Sequence, residues 1–432
     1  MKTTYKIAIV GAGPAGCTLA LLLHRAHIPV TIFESDSSIS SRSQGGSLDL
    51  HTNSGLAAIK ELELLSEFEE HARYDGEALA VADKRNQRYL SLSGSSSNEK
   101  SRGSPEIDRV RLREILSAPL DESGIIRWNC RVKSVSADGT IHFESGEHQS
   151  GFDLVVGADG AWSKIRTMLT DERPTYTGIS GFEGRILNAA KSNPEIYRLT
   201  NRGSWISLGD CKGLACQQQG DGSILASLWL KSDETWTKEY DISDAEKIRN
   251  ALHDNYADWA PVYHDVIDAI DLESLVSRTL YALPVDAAWE PRPGFTLIGD
   301  AAHLTSPFAG EGVNAAMLDA CKLAAAIKKA AADDAECPDA LTLYISRFEE
   351  EMNKRVKPIQ QRAKMNLDDC FNTPGAPRDS IERFVVRNVG GEVSWYLHAP
   401  LATVVYVYFF FVKLRLKCAL TGLALIHALR GK

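Results

Sequence analysis

The feature that most constrains this chain is a strand, a glycine turn, a helix, a second strand and an acid, in that order, ending at Glu34. Tyr5 to Val10 is a short apolar run of the kind that forms a buried parallel strand, and it stops at Gly11. Gly11-Ala12-Gly13-Pro14-Ala15-Gly16 follows, and Cys17 to His24 then reads as a helix apolar on all sides, suited to packing on a sheet. Pro29 to Phe33 reads as the second strand, closed by Glu34. Each part has a physical task. The glycines permit a tight turn, close approach of backbone to a pyrophosphate, and close helix–strand contact, while the acid binds ribose hydroxyls. Free N–H groups at the helix start, together with the helix dipole, hold the phosphates. Gly11, Gly13, Ala15, Gly16 and Glu34 are therefore candidate dinucleotide-binding residues. An acid at 34 suits an adenosine with a free 2′-hydroxyl, hence FAD or NAD rather than NADP at this site.

A leader peptide is the competing reading of this segment, since Lys2 precedes an apolar stretch. Gly11, Gly13, Pro14 and Gly16 interrupt that stretch and no clear cleavage site precedes Glu34, so the strand is expected. A length of 432 residues suggests about three domains, or two with insertions. With 44% hydrophobic and 24% charged residues the balance is that of a soluble protein with a large core. A net charge of −9 without a basic arm argues against nucleic-acid binding. The eight cysteines form no C-x-x-C pair and the histidines show no ligand spacing. No metal is expected, and reduced thiols in a cytoplasmic setting fit best.

Two further turns close apolar strands. Phe152 to Ala158 ends at Asp159-Gly160, with Ser163 and Arg166 just beyond; Phe295 to Ile298 ends at Gly299-Asp300. Open parallel sheets place their ligands at the C-terminal ends of strands, where all three turns fall. Pro307, Gly310 and Gly312 delay the next helix until about Gly312, with Val313 and Asn314 in its first turn. A helix start aimed at the pyrimidine edge of a flavin would stabilise the negative charge of reduced flavin. Gly299-Asp300 stands at the spacing needed to hold a ribityl chain, so the three turns make sense together if the dinucleotide is FAD. Asp108 to Leu116 reads as a helix with Asp108 as N-cap. Arg109 and Arg113 share one of its faces, either as a solvated basic face or against the FAD phosphates or ribityl region.

Ser91 to Gly103 is a polar, flexible loop. Between 176 and 289 the texture shifts to short alternating apolar runs, which suggests an inserted antiparallel sheet with one face free to cover a ligand. Trp205, Trp229 and Trp236 are expected in its core rather than against a substrate. The expected fold is α/β: a Rossmann-like FAD-binding domain (1–73, 105–175 and 290–335), an antiparallel-sheet substrate domain (74–104 and 176–289), and a C-terminal helical region with an apolar tail (336–432).

In this order and spacing the three motifs resemble those of the single-component FAD-dependent aromatic hydroxylases, the para-hydroxybenzoate hydroxylase class, and within it most nearly the tetracycline-degrading monooxygenases. Gly45-Gly46-Ser47-Leu48-Asp49-Leu50-His51 looks like their G-G-x-L-D-L-H stretch, and Pro105 to Arg113 resembles their R-x-x-L-R segment. Gly299 to Asn314 is similar almost throughout. The likeness covers roughly residues 5–365 and is weak across 176–289. It implies that Glu34 binds the adenosine ribose, Arg113 the FAD, and Asp300 the ribityl chain or pyrophosphate. Asp159 and Gly160 would serve FAD and NADPH docking together. Arg42, Gln44, Gly45 and Gly46 would lie along the flavin ring, with Asp49 and Arg109 among the cofactor contacts. No second glycine fingerprint is present for the nicotinamide cofactor, as in this class, where NADPH binds transiently.

The mechanism so implied has NADPH deliver a hydride to flavin N5, O2 add to the reduced flavin, and the C4a-hydroperoxide pass an OH to an electron-rich carbon. It requires no catalytic side chain, and no acid–base or nucleophile constellation with persuasive spacing is present. The implied function is an FAD- and NADPH-dependent monooxygenase acting on a small hydrophobic aromatic or enolic substrate, with secondary metabolism as a setting. Rival readings are a flavin-dependent halogenase, whose W-x-W-x-I-P motif is absent, a dehydrogenase or reductase that never uses O2, and a non-enzymatic escort of the GDI type, against which the intact Gly299–Asn314 stretch argues.

The C-terminus departs from the family pattern. Ala399 to Val412 carries no charge, and Lys413, Arg415 and Lys417 follow. A span needs about 20 apolar residues, so two expectations remain: a helix packed on the body, or membrane-surface contact through 395–432.

Overall fold

A computed structural model describes residues 5–41, 45–93, 104–333, 337, 339–390 and 395–430, without the side chains of 390, 395 and 419–430. Arg42, Gln44 and most of the polar loop that ends at Gly103 lie outside the described residues. The chain divides into two compact units: Met1–Tyr74, Ser97–Thr177 and Tyr281–Ala363 form one, and Asp75–Ser96, Gly178–Leu280 and Lys364–Lys432 the other.

The first unit is built on a parallel sheet. β1 (Ile7–Val10) leads through α1 (Pro14–Arg25) to β2 (Val30–Phe33). β3 (Ser47–Asp49) pairs antiparallel with β4 (Glu106–Asp108) in a ribbon outside this sheet. α2 (Arg109–Glu122) leads to β5 (Ile126–Arg127), and β6 (Leu154–Gly157) and β7 (Phe295–Leu297) complete the sheet in the order β7-β6-β1-β2-β5. All four pairings are parallel, with Ile7 opposite both Leu154 and Val30, so the C-terminal ends share one edge. α1 continues β1 to one side, while β6 and β7 extend the sheet to the other, which puts the topological switch at β1. Every residue of β1 is buried, as a strand covered on both faces requires. α1 buries all positions from Ala15 to Leu23 and packs on α3 (Gly312–Asp333). At about 1.5–3 kcal/mol for each fully buried large apolar side chain, such a helix is fixed by its surroundings more than by its own propensity. α4 (Ala340–Leu367) follows and adds Phe348, Met352 and Val356 to the same core.

The second unit holds a seven-stranded sheet that takes in Leu79–Asp83, Arg88–Leu92, Ser204–Gly209, Lys212–Gln218 and Ile224–Lys231. Most of its described pairings are antiparallel, but Ser204–Gly209 runs parallel to Leu79–Asp83, with Trp205 opposite Ala80. An all-antiparallel sheet is the simpler expectation from local alternation. The parallel pair joins segments far apart in the chain, which no local pattern signals. Trp205 and Trp229 are buried and Trp205 stacks on Tyr263 at 5.3 Å, while the half-buried Trp236 packs edge-on to Phe182 at the border of the same core.

The tail is one continuous helix, His398–Arg430, within the second unit. Val405 and Phe409 are buried with Val81, Tyr89, Leu90 and Ile381, and Leu401, Val412 and Leu416 flank them along the same helical stripe. Lys413 pairs with Glu382 at 2.5 Å. Counting only to the first charge undersizes this helix, because isolated basic residues do not interrupt helical backbone. His398–Cys418 is long and apolar enough to cross a membrane by length and composition.

Candidate cofactor site

Backbone geometry brings the three turns together. Gly11 has φ +103°, and a Cβ built there would stand 2.4 Å from the carbonyl oxygen of Ala158 and 3.0 Å from Cα of Asp159. The first and second turns are thus in backbone contact, which a side chain at 11 would break. A Cβ on Gly16 would meet the Gly11 carbonyl oxygen at 2.1 Å. Gly299, at φ +62°, lies against Ala316 of α3 and Ala15 of α1, which brings the third turn to the same place. Arg166 ties the second turn to the third. It is buried, and its guanidinium donates to the carbonyls of Ala161 (2.5 Å) and Ala301 (3.0 Å).

Other glycines face open space instead. Nothing lies within 4 Å of a Cβ built at Gly13, Gly160 or Gly312. Gly13 is the N-cap of α1 with no side-chain cap, and Pro14 fills the first helical position, so the first-turn N–H groups have no side-chain acceptor. That is the requirement for a bound phosphate. Glu34 closes the far side. Its Oε2 accepts from the Ala12 N–H at 2.6 Å, and its Oε1 from Ser35 Oγ and the Asp36 N–H. A carboxylate has about four acceptor positions, which leaves one for a ribose hydroxyl. Arg113 donates to Asp36 at 2.7 Å, while its buried Nε has no partner.

Asp300 opens a short helical turn, Asp300–His303. Its carboxyl is open to solvent, yet burial by surrounding protein raises its pKa, with His303 and Arg109 pulling it back. A group on the floor of a cleft has both properties. Burial likewise raises the pKa of Asp159, whose Oδ2 accepts from the Lys164 N–H at 2.7 Å while its Oδ1 has no hydrogen-bond partner. Arg109 reaches the same neighbourhood: its backbone N–H donates to Gly46, and its side chain runs so close to Gly45 (φ +143°) that a Cβ there would stand 2.8 Å from Cδ. Asp108 is the N-cap of α2 by position but makes no capping bond; its Oδ1 accepts from Ser47 Oγ across the β3–β4 ribbon instead.

The loop before α3 is pinned on both sides. Pro307–Ala309 forms a 3₁₀ turn, Gly310 closes it at φ +66°, and α3 starts at Gly312, with Val313 beside it. Asn314 is fully buried: its Oδ1 accepts from the N–H groups of His51 and Gly55 and from Ser54 Oγ, and its Nδ2 donates to the Asp49 carbonyl. Between the two glycines, Glu311 accepts from Arg362 at 2.6 Å and faces His51 Nδ1 at 3.2 Å; His51 Nε2 meets Asp49 Oδ2 at 3.0 Å. Burial alone would lower the His51 pKa, but its hydrogen bonds to Asp49 and Glu311 raise it to about 10, so the ring is charged at neutral pH.

Motif reading missed one network. Asp319, fully buried on α3, accepts from the Gly299 N–H at 3.0 Å and from His303 Nε2 at 2.6 Å, and pairs with Arg355 of α4. It positions the turn that presents Asp300. The available signal was a lone acid among Met317, Ala320 and Leu323 on the apolar face of a helix.

The open glycines, the uncapped helix start and the cleft carboxylate have the room and polarity that a pyrophosphate and a ribityl chain need. Residues 4–346 match the family model described as FAD binding domain. Monooxygenase penA of Penicillium thymicola is 29% identical over 440 residues, covering 86% of this chain and 96% of that protein. Monooxygenase asqM of Emericella nidulans is 27% identical over 437 residues, again 86% and 96%. The solved tetracycline destructase Tet(55) superposes with a TM-score of 0.67 over 90% of this chain and 96% of its own, a likeness of fold alone at 18% identity. The chain belongs to the FAD binding domain family, and it is an FAD-dependent monooxygenase of that family.

Proposed function

We propose that this monooxygenase takes its electrons from NADPH and inserts one atom of O2 into a small, hydrophobic, aromatic or enolic molecule of secondary metabolism. The observation that carries the reading is the meeting of three strand-end turns at one sheet edge, with Gly13 and Gly312 open and Gly299, next to Asp300, set against α1 and α3. When bound, FAD supplies the redox chemistry, accepting a hydride and activating O2. The chain's own residues do the rest. Gly11 to Gly16 and the start of α1 bind the pyrophosphate, with Glu34 on the adenosine ribose and Arg113 beside it. Asp300 and Arg109 hold the ribityl region. Gly45, Gly46, Asp49 and the segment from Pro307 through Gly310, Gly312 and Val313 to Asn314 frame the ring. Asp159 and Gly160 present the docking edge for NADPH. Residues 74–104 and 176–289 form the substrate domain.

The purified protein is expected to show a flavin absorbance spectrum that bleaches on anaerobic addition of NADPH, even slowly without substrate. A colourless protein that cannot be reconstituted with FAD would sink the reading.

A second proposal concerns the tail. The protein is cytoplasmic and touches an anionic lipid surface through the C-terminal helix. Supporting it, Val404, Tyr406, Val407, Tyr408, Phe410 and Phe411 are all exposed opposite the packed stripe. From His398 onward the chain has Lys413, Arg415, Lys417, Arg430 and Lys432 and no acid, in a protein of net charge −9. An apolar face with basic flanks suits lipid headgroups. Flotation with phosphatidylserine vesicles, absent with neutral ones, is expected; equal recovery without vesicles would overturn it.

A further inference from the structure

His51, Asp49, Glu311 and Arg362 form a connected group that cofactor binding alone does not require. Both ring nitrogens of His51 face carboxylates, Asp49 Oδ2 at 3.0 Å and Glu311 Oε2 at 3.2 Å. A neutral imidazole has one N–H, so only the imidazolium can donate to both. The charged groups facing the ring come from three elements: Asp49 from β3, Glu311 from the loop before α3, and, through Glu311, Arg362 from α4. Two positive and two negative groups sum to zero. Removing the His51 charge leaves the group at minus one, in a half-buried place where charges interact more strongly than in water.

The position of this group gives it a consequence. Glu311 lies between Gly310 and Gly312, and a Cβ built at Gly310 would stand 3.9 Å from Asp49 Oδ2. The His51 backbone N–H is locked to Asn314, in the first turn of α3. We propose that His51 is the charge-balancing residue of the flavin site: by neutralising Asp49 and Glu311 it keeps net negative charge away from the flavin and sets how tightly reduced flavin is held relative to oxidised flavin. This rests on the reading that the Pro307–Asn314 segment faces the ring. It is a positioning and electrostatic role, since no bond to His51 changes in the reaction.

The His51 pKa is raised from 6.5 to about 10, so the stabilisation from its two pairs is complete below pH 6.5 and lost as pH rises through about 10. Thermal melts of the apoprotein should show this loss in the wild type and not in His51→Gln. The decisive test is the flavin midpoint potential, titrated anaerobically against a reference dye, with FAD affinity measured by fluorescence quenching. In His51→Gln the reduced-to-oxidised affinity ratio should fall on the order of tenfold, read as a lower midpoint. Asp49→Asn alone should raise the midpoint, and Asp49→Asn with His51→Gln should return it to the wild-type value, because that pair restores neutrality. A wild-type midpoint in His51→Gln, or a double variant no closer to wild type than the single, overturns the proposal. If His51→Gln does not fold, an unmoved midpoint in Asp49→Asn does the same. Failure of the wild type to bind FAD would instead overturn the flavin reading beneath it.

Discussion

At the scale of single residues, the glycines of the first turn divide into two kinds that one substitution separates. Gly11 sits at φ +103° with a carbonyl oxygen where a Cβ would go, so Gly11→Ala forces the backbone contact with Ala158 apart. About 1–3 kcal/mol of stability should be lost with or without cofactor. Gly13 has an ordinary φ of −78° and open space around it. Gly13→Ala should melt within about 0.5 kcal/mol of wild type as apoprotein, while FAD affinity falls because the methyl group takes the pyrophosphate's place. Equal apoprotein melts for the two variants would remove the distinction. Asp300→Ala belongs with Gly13→Ala. Its carboxylate is open in the cleft, and FAD affinity should drop on the order of 10- to 100-fold with little change in the apoprotein melt. Full flavin occupancy in Asp300→Ala would count against the ribityl assignment.

At the scale of elements, the start of α3 and the segment 49–55 are held together by one side chain. Asn314→Ala would leave the N–H groups of His51 and Gly55, the Ser54 hydroxyl and the Asp49 carbonyl without their partner in a buried place. Roughly 3 kcal/mol of stability should go with it, measured by urea unfolding. Asn314→Asp keeps the acceptor and loses the donor, so it should be milder at low pH, where the new carboxyl is protonated. This division explains what could be read from the sequence. β1, α1 and β2 were legible because each turn follows its strand directly, so the signal lies within a few residues. Asn314 was legible as part of a helix start, but its four partners were not, because they lie on the far side of the chain. Asp319 with Arg355, and Glu311 with Arg362, share that difficulty: the first pair joins α3 to α4, the second the loop before α3 to α4, and nothing local marks a charge that will be buried with a distant partner. Asp108 shows the converse. Its position before α2 suggested a cap, and the antiparallel ribbon offered its carboxylate a better donor in Ser47.

At the scale of the whole molecule, the relation between a packed tail and a lipid-facing tail turns on two neighbouring phenylalanines. Phe409 is 1% exposed against Val81, Leu90 and Ile381, while Phe410 is 61% exposed. They differ by one position, and 100° of helical rotation takes one side chain into the body and the next out of it. Phe409→Ala opens a cavity in the second unit and should cost about 3 kcal/mol. Phe410→Ala removes only an edge-on ring contact with the equally exposed Phe411 and should melt within about 0.5 kcal/mol of wild type. The two readings of the tail are therefore compatible: one stripe is committed to packing, and the wider apolar sector is left for something else. Replacing Tyr406, Phe410 and Phe411 together by serine should leave both the melt and the flavin spectrum unchanged while abolishing flotation with anionic vesicles. Deleting the helix outright is the poorer experiment, since it also strips the cover from Tyr89 and Leu90. If the triple variant floats as well as wild type, the exposed face is not what meets the lipid. If it melts far below wild type, the face is part of the fold after all, and the packed stripe is wider than Val405 and Phe409 imply.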